Sequence, residues 1–196
     1  MGENEERIVH KADLLPWILS VVITIVMALV LFGQGRILWC KSGDWAIYIN
    51  QAWGSSHTSQ HLFDPYTFTH ILHGVLFFWI IGLAFKKLSV GWRVFIATVA
   101  EAAWEVFENS SFIIEKYREN TASLDYFGDS IMNSVGDVLA CAFGFWIAYK
   151  VGWWRSLVFF IVVEIALLVC IKDSLLLNIL MLIYPLDGIK HWQMSV

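Results

Sequence analysis

A chain of 196 residues that is 58% hydrophobic, with 11 tryptophans and a mean hydropathy of +0.64, does not read as a water-soluble domain; those average about 45–50% apolar. A formal net charge of −4 without a basic cluster excludes nucleic acid as a partner. No linker rich in Pro, Gly or Ser and no internal repeat divides the sequence, so residues 1–196 are expected to form a single integral membrane domain.

Residues 14–32 carry no charge, and about 20 apolar residues are what a ~30 Å hydrocarbon core requires. Asp13 is placed to cap this first span, with Pro16 in the first turn, where a missing N–H costs little. Arg7 and Lys11 ahead of it raise the alternative of a cleaved signal peptide. The apolar run is longer than the about 7–15 residues of a signal core and no A-x-A site follows, which favours a retained helix. Residues 33–64 then form a long non-spanning stretch whose Trp39, Trp45, Tyr48 and Trp53 are ring types that settle at a membrane–water boundary. Asp64-Pro65 marks the next helix start.

The second span is expected over 66–85, ending in Lys86-Lys87. The third covers 90–107 and is expected to continue as polar helix toward Lys116, followed by a polar connection over 115–128. The fourth runs over 129–149 and the fifth over 153–171. The last apolar piece, 174–184, is halted by Pro185; at 1.5 Å per residue it covers ~16 Å, too short to cross. The expected fold is therefore an all-α polytopic membrane helix bundle of five transmembrane helices, with a sixth left open and an aromatic-rich loop between the first two. Lys86, Lys87 and Arg93 on one short turn point to a cytoplasmic N-terminus.

Ionisable side chains keep helical spacing from His70 to Asp137. His70 and His73 are three apart; Glu101, Glu105 and Glu108 fall at i, i+4 and i+7; Asp129, Asn133 and Asp137 at i, i+4 and i+8, with Asp125 upstream. Charge at bilayer depth is tolerated mainly where it faces a bundle interior or watery cavity. Three such stripes are expected to face one another, with most members toward the outer face. Glu101, Asp137 and Glu164 lie deeper, and Glu164 has no obvious partner.

Several chemistries suit such a cluster. His, Glu and Asp on neighbouring helices build cation sites in bundles, which makes His70, His73, Glu105, Glu108 and Asp129 candidate ligands for a divalent cation. Without a metal, packed carboxylates and imidazoles divide acid and base roles, which nominates His70, His73, Glu105, Glu108, Asp125 and Asp129 as catalytic. Arg118 can hold a phosphate or carboxylate in a bidentate contact; His61, Asn109 and Asn133 complete the expected substrate contacts. Hydrolysis or group transfer on a lipid or envelope-linked substrate is the leading expectation. A non-catalytic component binding an ion, lipid or partner stays open, as does a small-solute or proton transporter. Polar glue between helices is the bland role for Asn133, Asp137 and His73.

Gly128, Gly136 and Gly144 recur every eight residues and read as close helix contacts. Cys40, Cys141 and Cys170 show no CxxC spacing, and the last two read as small packing residues.

Longer motifs are Ser59-Gln60-His61, Asp64-x-Tyr66, His70-x-x-His73-Gly74 and Glu101-x-x-Trp104-Glu105-x-x-Glu108-Asn109. They continue through Tyr117-Arg118 and Leu124-Asp125-Tyr126-x-Gly128-Asp129-Ser130-x-x-Asn133-Ser134 to Asn178, Met181-Leu182-Ile183, Pro185 and Trp192-Gln193. In these motifs the sequence resembles a family of small proteobacterial multi-pass inner-membrane proteins of unknown function. This resemblance implies insertion in the bacterial plasma membrane and supplies no activity. A looser likeness, to VanZ-type membrane proteins associated with glycopeptide resistance, rests on an early helical His, a later acidic pair and the spacing of Asp129, Asn133 and Gly136.

Overall fold

A computed structural model describes residues 2–52 and 54–195, with side chains from Leu14 onward. Trp53 and the side chains of Arg7, Lys11 and Asp13 lie outside the described residues. Among the described residues eight helices follow in order: α1 (Gly2–Gly33), α2 (Thr67–Ala84), α3 (Val90–Glu108), α4 (Ser111–Asn120), α5 (Ile131–Val151), α6 (Trp153–Ile171), α7 (Leu175–Ile183) and α8 (Asp187–Met194). Among the described residues no strand forms; one isolated parallel bridge joins Tyr48 to Phe63.

Four helices are long and apolar enough to cross a membrane: Leu14–Gly33 of α1, α2, α5 and α6. The expected third span has the right bounds in α3 but departs in composition, because Arg93, Glu101, Glu105 and Glu108 all lie on it. The last apolar piece forms α7, only nine residues long, and the polar α8 follows it beyond Pro185. No sixth helix of spanning length exists among the described residues. Pro16 also sits inside α1 rather than in its first turn, because that helix begins at Gly2.

Helix directions follow from their contacts. Pro16 lies against Gly91, and Gln34 Nε2 donates to the Val106 carbonyl, so α1 and α3 run side by side in one direction. Against them α2 and α5 run together in the other, in a crossing that only glycine permits. A Cβ on Gly144 would lie 1.9 Å from the Ile71 carbonyl oxygen, and one on Gly74 1.9 Å from that of Cys141. Of the glycines spaced eight apart, Gly136 and Gly144 are packing devices, whereas Gly128 precedes α5 at φ +91° and faces the Arg36 and Asn109 side chains instead. Gly136 repeats the close approach against the Leu62 carbonyl.

Central α5 is 61% buried, whereas α1 and α6 bury only 17% and 22% of their apolar windows. Gly152, at φ +83°, is the single residue between α5 and α6 and lets the chain reverse. Asp64 starts α2: its Oδ1 accepts the N–H of Tyr66 at 2.7 Å and Thr67 at 3.2 Å, satisfying donors a helix start leaves free. Glu164 finds its partner here too. Its carboxylate accepts the N–H of Leu175 at 2.9 Å and Leu176 at 3.2 Å, capping α7.

Candidate functional site

The first turns of α2, the last turns of α3 and the start of α5 meet at one end of the bundle, so their polar stripes converge. Glu101, fully buried, sits between the two histidines. His70 Nδ1 lies 2.6 Å from Glu101 Oε1, and His73 Nδ1 lies 3.1 and 3.0 Å from its two oxygens. A carboxylate between two ring nitrogens accepts from both, which fixes each imidazole with its Nδ1 proton on Glu101 and its Nε2 free. His70 Nε2 then looks toward Asp137 Oδ2 at 3.8 Å.

Glu105 lies one turn on. Its Oε1 is 3.4 Å from His70 Nδ1, whose proton Glu101 already takes. Both Glu105 oxygens are buried without a hydrogen-bond partner, as are Glu108 Oε2 and Asp137 Oδ1. Leaving a buried polar atom unpaired costs about 1–3 kcal/mol, more for a charge, so this set calls for protons or a cation. The donor chemistry fits one: His70, Glu105 and Glu108, and separately His70, His73 and Glu101, can each bring one ligand atom within 4.8 Å of the others.

A polar clamp holds the rim. Asn109 Nδ2 donates to Asp129 Oδ2 at 2.8 Å, while the Asp129 N–H donates to Asn109 Oδ1 at 2.7 Å. Tyr126 donates its hydroxyl to Asp129 Oδ1 at 3.0 Å. The clamp accompanies a break between α3 and α4 at Asn109–Ser110, where the sequence suggested one continuous helix. Ser110 caps the new helix by accepting the Ile113 N–H.

These groups surround a cavity of about 550 Å³. His70, His73, Glu108, Asp129, Asn133 and Asp137 form its polar lining, and Phe77, Trp104, Phe107, Ile179 and Leu182 supply apolar wall. Tyr66 and Tyr117 also line it. The Tyr66 hydroxyl donates to Asp173 Oδ2 at 3.0 Å. Burial raises the Asp173 carboxyl to about 6. Burial, followed by the charge of Asp129, raises Asp64 to about 7 despite its backbone donors.

The structure thus gathers His70, His73, Glu105, Glu108, Asp129, Asn109 and Asn133 in and around one pocket. Three expected members lie elsewhere. Asp125 is half-buried and accepts the Gly54 N–H at 3.4 Å, tying down the cap. Arg118 is exposed, its guanidinium 4.9 Å from the Phe127 ring. His61 is fully buried in the cap, with Nδ1 on the Ala46 carbonyl at 2.6 Å. Only its backbone carbonyl reaches the site, accepting from Asn133 Nδ2 at 2.7 Å. Two residues set aside as merely deep, Glu101 and Asp137, belong at the centre. Their place on the same helical stripes was the available signal; Tyr66, Tyr117 and Tyr126 stood out only in the motifs that carry the family likeness.

A family model described as "Protein of unknown function (DUF2585)" matches residues 31–195. Among similar proteins is a UPF0314 protein of Paracoccus denitrificans (strain Pd 1222), 40% identical over 97% of this chain and 98% of its own. A UPF0314 protein of Brucella anthropi is 42% identical over 90% of this chain and 89% of its own. One from Rhizobium meliloti (strain 1021) is 41% identical over 92% and 91%. No solved structure matches the chain. Extending over nearly the full length of each partner, these likenesses show that the chain belongs to the DUF2585 family of proteins of unknown function.

Proposed function

We propose that this protein is a multi-pass enzyme of the bacterial inner membrane that hydrolyses or transfers a group on an amphiphilic, lipid-linked substrate. The membrane part is supported by the four apolar helices and by their outward faces, where Val21, Leu29, Phe32, Val158 and Val169 are all exposed. Continuous apolar surface on that scale is foreign to soluble monomers. The charged α3 packs against α1, α2 and α5, so it is read as a fifth crossing that turns its acids inward. Lys86 and Lys87 on the α2–α3 connection, with Arg93, Lys150 and Arg155 in the adjoining helix ends, gather away from the site, which supports a periplasmic site and a cytoplasmic N-terminus.

One observation carries the enzymatic reading: buried, unpartnered carboxylate oxygens and oriented imidazoles share a cavity with an aromatic and aliphatic wall. Glu101 holds both rings so that Nε2 can accept a proton or bind a cation. His70, Glu105 and Glu108 would hold a divalent ion, which would polarise a phosphoryl or acyl oxygen. Glu108 and Asp137, which line the cavity and each keep a buried oxygen without a partner, are suited to trade protons with an attacking or leaving oxygen. Phe77, Trp104 and Phe107 would receive an acyl or prenyl chain. Transport is less well supported, because Ile81, Val94, Ala97 and Phe145 pack an apolar plug beneath the site.

The test is metal analysis of detergent-purified protein beside its Glu105→Gln and His70→Ala variants, with complementation of a deletion strain. Stoichiometric divalent metal that falls in both variants is expected. Folded Glu105→Gln protein should lose complementation by more than about tenfold in titre. Full complementation by both variants would refute the enzyme reading.

A further inference from the structure

A second cluster lies in the connection between α1 and α2, apart from the bundle site. That connection runs from residue 34 to 66 without a helix; unstructured stretches of that length are uncommon unless they bind or cover something. Inside it Cys40 Sγ lies 3.4 Å from His57 Nδ1, and His57 Nδ1 lies 3.2 Å from His61 Nε2. Ser42 Oγ is 3.0 Å from the thiol and 3.4 Å from the same imidazole nitrogen. Cys40 and His61 are buried, His57 is half-buried and Ser42 is exposed.

The Cys40–His57 and His57–His61 separations match two edges of a tetrahedron, and all three ligand atoms lie within 4.8 Å of one another. With Zn–N near 2.0–2.1 Å and Zn–S near 2.3 Å, tetrahedral ligands stand about 3.3 Å apart for N···N and about 3.5 Å for N···S. The second imidazole is also dressed as a metal ligand. His61 Nδ1 donates to the Ala46 carbonyl at 2.6 Å, which leaves the Nε2 lone pair facing His57 Nδ1 at 3.2 Å. Metal-binding histidines are commonly oriented by such a bond. One thiolate and two imidazoles suit a borderline-soft ion rather than magnesium or calcium.

We propose that Cys40, His57 and His61 bind a zinc ion, with the fourth position, beside Ser42, open to water. The ion would cross-link the beginning of the cap to its end, 17 to 21 residues on. It would do so where the cap is already tied to the bundle. Ser130 N–H donates to the Ser59 carbonyl at 2.9 Å, Gln60 Nε2 donates to the Gly128 carbonyl at 2.9 Å, and Thr58 and Ser59 line the cavity. Zinc in the cap therefore holds the roof of the bundle site without entering it.

The experiment is titration of chelator-stripped, full-length protein in detergent with cobalt(II), then displacement by zinc(II). One equivalent should give thiolate-to-cobalt charge-transfer absorption, which zinc abolishes. Cys40→Ser should remove the band, and His57→Gln should weaken binding by more than about tenfold, the range seen even for second-sphere losses. His70→Ala should keep it, which separates this site from the bundle site. Zinc should also slow proteolysis within residues 34–66 of the wild type but not of Cys40→Ser. A stripped protein with unchanged circular dichroism and no such band would overturn the proposal. So would a band that survives Cys40→Ser, or displacement by copper(I) and not by zinc.

Discussion

Burial without full pairing sets the character of the individual side chains. Asp64 shows it outside the helices: one oxygen caps α2, the other has no partner, and its carboxyl is raised to about 7 from 3.8. The folded chain therefore keeps a proton that the unfolded chain releases above about pH 4. This stabilising contribution is complete below that point, declines as pH rises toward 7, and is gone above it. Asp173, raised to about 6, adds the same sign over a narrower window. Each tenfold change in proton affinity between the folded and unfolded chain corresponds to about 1.4 kcal/mol. Thermal midpoints in detergent should fall by at least ~2–4 °C between pH 5 and pH 8. Asp64→Asn, which keeps the capping oxygen, should flatten most of that slope; an unchanged slope would show that other groups govern it.

Among the elements, two contacts decide geometry. The α2–α5 crossing is set where Gly144 meets the Ile71 carbonyl and Gly74 meets that of Cys141. Gly144→Leu must push the helices apart, since overpacking costs about 1–3 kcal/mol even where side chains alone must yield. A drop in thermal midpoint beyond about 5 °C and accelerated proteolysis of the cap are expected. Gly152→Ala, in open space at positive φ, should cost about 1 kcal/mol and leave the site intact. The second contact is Glu164 at the start of α7. Removing such a cap costs about 0.5–2 kcal/mol, so Glu164→Ala should loosen α7. Hydrogen exchange at Leu175 and Leu176 should rise while exchange in α5 does not; uniform protection would argue against the cap.

For the whole molecule, periodicity made the helices legible: the expected second and fifth spans match α2 and α6 to within about a residue. Convergence of His70, Glu105, Glu108 and Asp129 followed from antiparallel threading of adjacent helices. What stayed hidden depended on contacts between distant segments. Glu101 is central only because α2 and α3 place both imidazoles on it, and the pairing of Cys40 with His57 depends on how a helix-free connection folds back. Asp125 and Arg118 misled because a charged residue in a connection is equally suited to holding loops or stacking on a ring.

Backbone meeting backbone at Gly74 and Gly144 has a mechanical corollary. Two rods seated notch to notch cannot creep past one another by fractions of an ångström; they stay locked or leapfrog a whole turn. The imidazole-bearing rod and its acidic neighbour accordingly form a fixed anvil. Any breathing that admits a bulky guest falls to the roof above and to the short α7 hinged on its glutamate.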